Sequence, residues 1–203
     1  MKKLILIFAI LSLVVKATSE KQYHYRVGQS SYITISGITN VNKFECLWTE
    51  SISQGSLTAN IDPLDGEIKF EDAVLFIDIQ GFNCENRIMT NDMHRAMGVG
   101  DHPLIEIKLL KAEVQQNKQS SANSGDLNVL VAITINGVQK ETFINVNWKS
   151  AESIYYIFNG TKSLKMTDFD IEPPTRLMGM VKVNDMIKIE INLALQTLLI
   201  SQS

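Results

Sequence analysis

Ile187-Lys188-Ile189-Glu190-Ile191-Asn192-Leu193-Ala194-Leu195-Gln196 decides the fold. Aliphatic residues at 187, 189, 191, 193 and 195 alternate with Lys188, Glu190, Asn192 and Gln196. A period of two puts every apolar side chain on one face of a β-strand and the polar ones on the other. Strands with one dry and one wet face belong to antiparallel sheets, because strands of a helix-covered parallel sheet read as continuous apolar runs. The same alternation recurs upstream. Ile33 and Ile35 alternate with Tyr32, Thr34 and Ser36, and Phe44, Cys46 and Trp48 with Lys43, Glu45 and Thr49. It returns in Leu75-Ile77-Ile79, in Ile105, Ile107 and Leu109 against Glu106 and Lys108, and in Leu127, Val129, Val131, Ile133 and Ile135.

Turn chemistry punctuates these runs. Asp65-Gly66 separates two extended segments, Ser124-Gly125-Asp126 precedes a third, and Asn136-Gly137 joins Leu127–Ile135 to Val138–Trp148 as a two-residue hairpin. Lys111 to Ser124, rich in Gln, Asn, Ser and Lys, reads as a polar loop, and Asn159-Gly160-Thr161, which also matches a glycosylation acceptor, reads as a turn. One segment departs from the strand rhythm. From Asn86 to Met97, Ile88 or Met89, Met93, Ala96 and Met97 fall at helical spacing with Gly98 as a stop, which predicts a short amphipathic helix.

The N-terminus sets the compartment. Lys2 and Lys3 precede the apolar stretch Leu4–Val15, and Ala17-Thr18-Ser19 supplies small residues for cleavage after Ser19. This is the pattern of a secretory signal peptide over residues 1–19, with an uncleaved N-terminal anchor as the alternative; either places the domain in the periplasm or outside the cell. The chain has 203 residues, and removal of the signal leaves about 184, enough for one domain with one core. Losing Lys2, Lys3 and Lys16 takes the formal charge of −3 to about −6, a sign that disfavours nucleic acid. Cys46 and Cys84 are the two cysteines. In an oxidising compartment they form one disulfide or stay as two free thiols, and their spacing is not that of a redox motif.

Five stretches, in their order along the chain, resemble the YceI-like polyisoprenoid-binding family of small exported barrels. They are Ser36-Gly37-Ile38-Thr39-Asn40-Val41-Asn42-Lys43-Phe44, His102-Pro103-Leu104-Ile105-Glu106-Ile107, Ile135-Asn136-Gly137-Val138, Gly160-Thr161-Lys162-Ser163-Leu164-Lys165-Met166-Thr167-Asp168-Phe169, and the final strand. The resemblance implies an all-β fold over residues 20–203: a lipocalin-like, eight-stranded antiparallel barrel with a short helix closing one end. It also implies a long apolar pore that holds the isoprenoid tail of a polyprenyl or quinone-type lipid. The cysteine pair, the Lys111–Ser124 segment and Asp170-Ile171-Glu172-Pro173-Pro174 depart from the family's pattern.

An isoprenoid tail offers no hydrogen bonds, so its binding rests on removing apolar area from water at about 25 cal/mol per Å². Candidate wall residues are Phe44, Trp48, Leu75, Ile77, Ile105, Ile107, Val129, Val131, Ile133, Tyr156, Phe158, Ile189, Ile191 and Leu193, with Met93 and Met97 from the helix. The same residues serve equally as the filled core of a structural or stress-response barrel that acts through its outer surface. An enzyme is not indicated. Gly-x-Ser-x-Gly, phosphate-loop and dinucleotide motifs do not occur, and no cofactor is called for. Asp92, His94 and His102 are the one conceivable metal set, but Asp92 and His94 stand two apart on a predicted helix and point apart. The expected partner is an isoprenoid or another long-chain amphiphilic lipid, with homodimerisation left open.

Overall fold

The computed structural model describes residues 19–49, 54–62, 66–115, 121–152 and 154–202. The expected signal segment, residues 1–19, lies outside the described residues except for Ser19, which begins β1. In chain order the strands are β1 (Ser19–Val27), β2 (Tyr32–Thr39), β3 (Lys43–Trp48), β4 (Gly55–Ile61), β5 (Glu67–Glu71), β6 (Val74–Asp78) and β7 (Phe82–Asn83). The helix α1 (Arg87–Ala96) follows, then β8 (Leu104–Gln115), β9 (Ser124–Ile135), β10 (Val138–Glu152), β11 (Tyr155–Lys165), β12 (Thr175–Arg176) and β13 (Val181–Gln202).

Eight of these strands close a ring. The order is β1-β4-β5-β8-β9-β10-β11-β13, and β13 pairs back onto β1. Every ladder is antiparallel, as the half-dry alternation requires. The strand that decides the fold is also the longest, at 22 residues. One edge of β13 pairs with β11 from Lys165↔Met186 to Tyr155↔Gln196. Its other edge pairs with β2 through Ile33↔Ile191 and then with β1 through His24↔Leu198. The ladders put Ile187, Ile189, Ile191, Leu193 and Leu195 on the inner face, as their period predicts.

At the helix end the ring is continued by β2, β3 and β7 on one side and by β6 on the other. Among the described residues no ladder joins β3 to β6. A disulfide between Cys46 and Cys84 stands beside this interval. Across it the indole Nε1 of Trp48 donates to the carbonyl of Asp78 at 3.0 Å.

Local signals explain the helix. The Asn86 side chain accepts from the amides of Ile88 (2.9 Å) and Met89 (3.2 Å), satisfying two of the donors that a helix start leaves free. The helix ends at Met97, and Gly98 follows at φ 73°. A Cβ at Gly98 would stand 2.2 Å from Oδ1 of Asn136, so glycine is required twice, for its backbone angle and for the contact. That contact joins the helix to the β9–β10 hairpin, whose turn residues Asn136 and Gly137 both take positive φ, 51° and 74°. The hairpin is thus of the expected type I′.

Two local readings are corrected. The first five residues of the expected Lys111–Ser124 loop are strand: β8 runs to Gln115. Ala112 is buried there against Val129, while Lys111 bonds Glu67 (2.8 Å) and Glu113 (2.9 Å) on the outer face. Polar composition on one face had concealed a short alternation. Residues 116–120 are outside the described set. Asn159-Gly160-Thr161 is not a turn but the middle of β11, where Oδ1 of the Asn159 side chain accepts from Nδ2 of Asn192 on β13 at 2.6 Å.

Candidate functional site

Between α1 and the barrel wall lies a cavity of about 380 Å³. Its walls are side chains from ten strands, among them Ile33 and Ile35 of β2, Ile77 of β6, Ile105 and Ile107 of β8, Ile133 and Ile135 of β9, and Ile187, Ile189 and Ile191 of β13. The helix contributes Met89, Met93 and Met97, flexible thioethers that adapt to an irregular neighbour. The cavity reaches the surface beside Val41 and Ile88, which line it yet are 67% and 64% exposed.

A short 3-10 turn, Met166–Phe169, and the segment after it close another side with Met166, Phe169 and Ile171. The Asp185 carboxylate fixes that turn. It accepts from the amide of Thr167 at 2.9 Å and from its hydroxyl at 2.8 Å, and these hydrogen bonds hold the Asp185 carboxyl below the ordinary range. Polar groups at the lining are few. Thr39 and Asn42 bond one another, Oγ1 to Oδ1 at 2.7 Å. Asp92 on α1 takes two hydrogen bonds from the Arg176 guanidinium on β12, tying the helix to the opposite side of the mouth. Lys162 is the third charged residue of the lining.

Of the wall residues expected from sequence, Phe44, Ile77, Met93, Met97, Ile105, Ile107, Ile133, Ile189 and Ile191 line the cavity. Trp48, Val129 and Val131 are buried in the packed core, and Leu75 and Leu193 pack against it half-buried. Tyr156 and Phe158 share the inward register of Gly160 on β11 but lie towards its other end, level with Leu195 and Leu193. There Tyr156 stacks on Phe158 and meets Trp148 at a tilt, with ring centroids 6.2 Å apart in each pair. The cavity thus occupies the helix-covered part of the barrel rather than a pore along its whole length. Period two tells which way a side chain points, not how far along the barrel axis it stands.

Cys46 and Cys84 are bonded to each other and buried outside the lining. Asp92 is engaged by Arg176, and Nε2 of His94 lies 3.0 Å from the carbonyl oxygen of Phe82. Among the described residues no group of three or more His, Cys, Asp or Glu is placed to hold a metal ion.

Residues 24–195 match the family model of the YceI-like domain. The chain belongs to the YceI-like family. Solved structures agree on the fold. A polyisoprenoid-binding domain from Saccharophagus degradans, implicated in plant cell wall breakdown, superposes with a TM-score of 0.61 at 11% identity, covering 85% of this chain and 97% of its own. BcnA of Burkholderia cenocepacia superposes with a TM-score of 0.54 at 14% identity, covering 86% of this chain and 95% of its own. Among curated proteins, none matches the sequence. At such identities the likeness establishes the shared barrel, and what this YceI-like chain holds must be argued from its own cavity.

Proposed function

We propose that this YceI-like protein is an exported carrier that holds the isoprenoid tail of a polyprenyl or quinone-type lipid in the cavity beneath α1. The observation that carries the reading is the cavity itself. Protein cores leave few voids larger than a water molecule, whereas this one, at about 380 Å³, falls among pockets that hold a small-molecule ligand, roughly 300–1,000 Å³. Its lining is mostly aliphatic, methionine and phenylalanine, which suits a branched hydrocarbon. Exposed Val41 and Ile88 make the route from lumen to surface apolar as well. The polyisoprenoid-binding activity named for the Saccharophagus degradans domain points the same way.

Export is supported by the Lys2-Lys3 and Leu4–Val15 pattern and by a disulfide, which suits an oxidising compartment. The site of action proposed is the periplasm or the medium, after cleavage near Ser19. The test is native mass spectrometry of protein purified from its own cells without detergent, followed by analysis of the extracted lipid. A bound prenyl lipid on a chain lacking the first 19 residues is expected. Refolded protein that takes up neither quinones nor prenyl alcohols would return the filled-barrel alternative, in which the outer surface carries the function.

A further inference from the structure

The hydrogen-bonded barrel wall is interrupted beside the cavity. The β10–β11 ladder runs from Glu152↔Tyr155 only as far as Asn145↔Thr161. Beyond it Val138–Ile144 pair with β9 alone and Lys162–Lys165 with β13 alone. The strand faces behave accordingly. Lys140 and Thr142 stand opposite Ile133 and Val131 in the β9 ladder, on the inward register, yet Lys140 is exposed and Thr142 half-exposed. Water therefore reaches inward positions of β10 through this gap.

Lys162 sits on the other edge of the gap. It stands opposite Ile189 in the β13 ladder and lines the cavity, and its ammonium crosses the gap to the carbonyl of Phe143 at 2.8 Å. That carbonyl lies just past the last β10–β11 pair. A backbone carbonyl leaves the positive charge uncompensated. Among the described residues neither Lys162 nor Lys140 forms an ion pair, whereas Arg176, the other cation of the lining, is already neutralised by Asp92. An ammonium held at the border between an apolar cavity and water is placed to receive an anion whose tail lies inside.

We propose that this gap is the head-group site and that it selects amphiphiles bearing a carboxylate or phosphate. The head is held by Lys162, with Lys140 adding positive field along the same gap, and the tail runs beneath α1. The inference rests on the lipid-carrier reading above and specifies its ligand.

The test uses the full mature protein and three probes that share one farnesyl tail: the alcohol, the carboxylic acid and the monophosphate. Wild type is expected to bind the two anions roughly 10- to 100-fold more tightly than the alcohol, the worth of one charge-assisted hydrogen bond. Lys162→Met should erase that preference, bringing both anions down towards the affinity of farnesol, and Lys162→Arg should restore it. Lys140→Met should reduce it by a smaller factor. Inorganic phosphate alone should neither bind measurably nor displace farnesol, because the tail supplies the remaining affinity. Equal affinities for alcohol and anions in wild type would overturn the proposal. So would a Lys162→Met variant that loses all three probes in proportion, since that is the signature of a plug sealing the wall. Wild type that binds none of the three, farnesol included, would instead remove the carrier reading on which the proposal stands.

Discussion

Ile33 and Tyr32 are consecutive residues on opposite faces of β2, so a carboxylate placed at each in turn separates face from position. Ile33 is 2% exposed, lines the cavity and stands between Trp48 and Ile191 in the two ladders of β2. Ile33→Glu removes a side chain whose burial stabilises by about 1.5–3 kcal/mol and sets a carboxylate against an apolar wall. The charge can be relieved only by taking up a proton. Holding a glutamic acid of ordinary pKa, about 4.3, protonated near pH 7 costs about 1.4 kcal/mol per pH unit, which caps the electrostatic part at about 4 kcal/mol. The glutamate methylenes keep part of the apolar contact, so the whole loss comes to about 4–6 kcal/mol. At about 2–4 °C per kcal/mol for a domain of this size, the melting temperature should fall by roughly 10–20 °C. The introduced carboxyl has a folded-state pKa above its unfolded one, so the penalty builds as pH rises past the unfolded value and disappears below it. The gap to wild type should therefore close by most of the electrostatic part near pH 4. Tyr32 is 40% exposed, and Tyr32→Glu should cost about 1 kcal/mol or less with no recovery in acid. Thermal unfolding followed by circular dichroism near pH 7 and near pH 4.5 measures both. Equal losses for the two variants would refute the facing of β2, and a loss at Ile33→Glu that ignores pH would show that packing, not charge, sets it.

Three further outcomes are expected. Intact-mass measurement after thiol blocking should find no modified cysteine, and reduction of the Cys46–Cys84 bridge, which spans 38 positions, should cost up to about 4 kcal/mol; two blocked thiols on folded protein would contradict the bridge. Asn136→Pro should destabilise by about 3 kcal/mol or more, because proline cannot adopt the φ of 51° found there, and an unchanged denaturation midpoint would count against the hairpin. Asp185, whose carboxyl is held below the ordinary range by Thr167, contributes stability above the unfolded carboxylate pKa that is lost as pH falls through the folded one; the gap between wild type and Asp185→Asn in a melting-temperature series should narrow on acidification, and a constant gap would refute the linkage.

Much of the barrel is legible in the sequence because each rule it uses is local. Alternation from Ile187 to Leu195 fixes the inner face of β13, Asn136-Gly137 fixes a hairpin, and Asn86 with Gly98 brackets the helix almost to the residue. The cavity is legible only as a set of inward faces. Val129 and Ile133 share one face of β9, and only their heights differ, yet one is packed into the core and the other lines the cavity. Height depends on which ladders meet at which register, and that is a property of distant partners. Met166, Phe169 and Ile171 line the cavity from an irregular segment with no period to announce them. Lys162 was within reach: continuing the inward register of Tyr156, Phe158 and Gly160 by one step places a lysine where a hydrocarbon is expected. The end of the β10–β11 ladder at Asn145 leaves no mark in the sequence at all.

The length of β13 has a consequence for how the chain comes together. Its 22 residues are the last described, and they supply both closing ladders, to β11 and to β1 with β2. Until they leave the ribosome, β2 has only β3 beside it and β11 only β10, and the other edge of each strand presents unpaired amides and carbonyls. Closure then joins β13 to β1 and β2 across a long separation in sequence, a step whose loop entropy comes before its contacts and which makes for slow folding. A chain shortened from its C-terminus should therefore not yield a smaller barrel. It should yield an open, adhesive sheet that recruits other copies along its margins, and a delay late in synthesis should be felt as aggregation rather than as lost affinity.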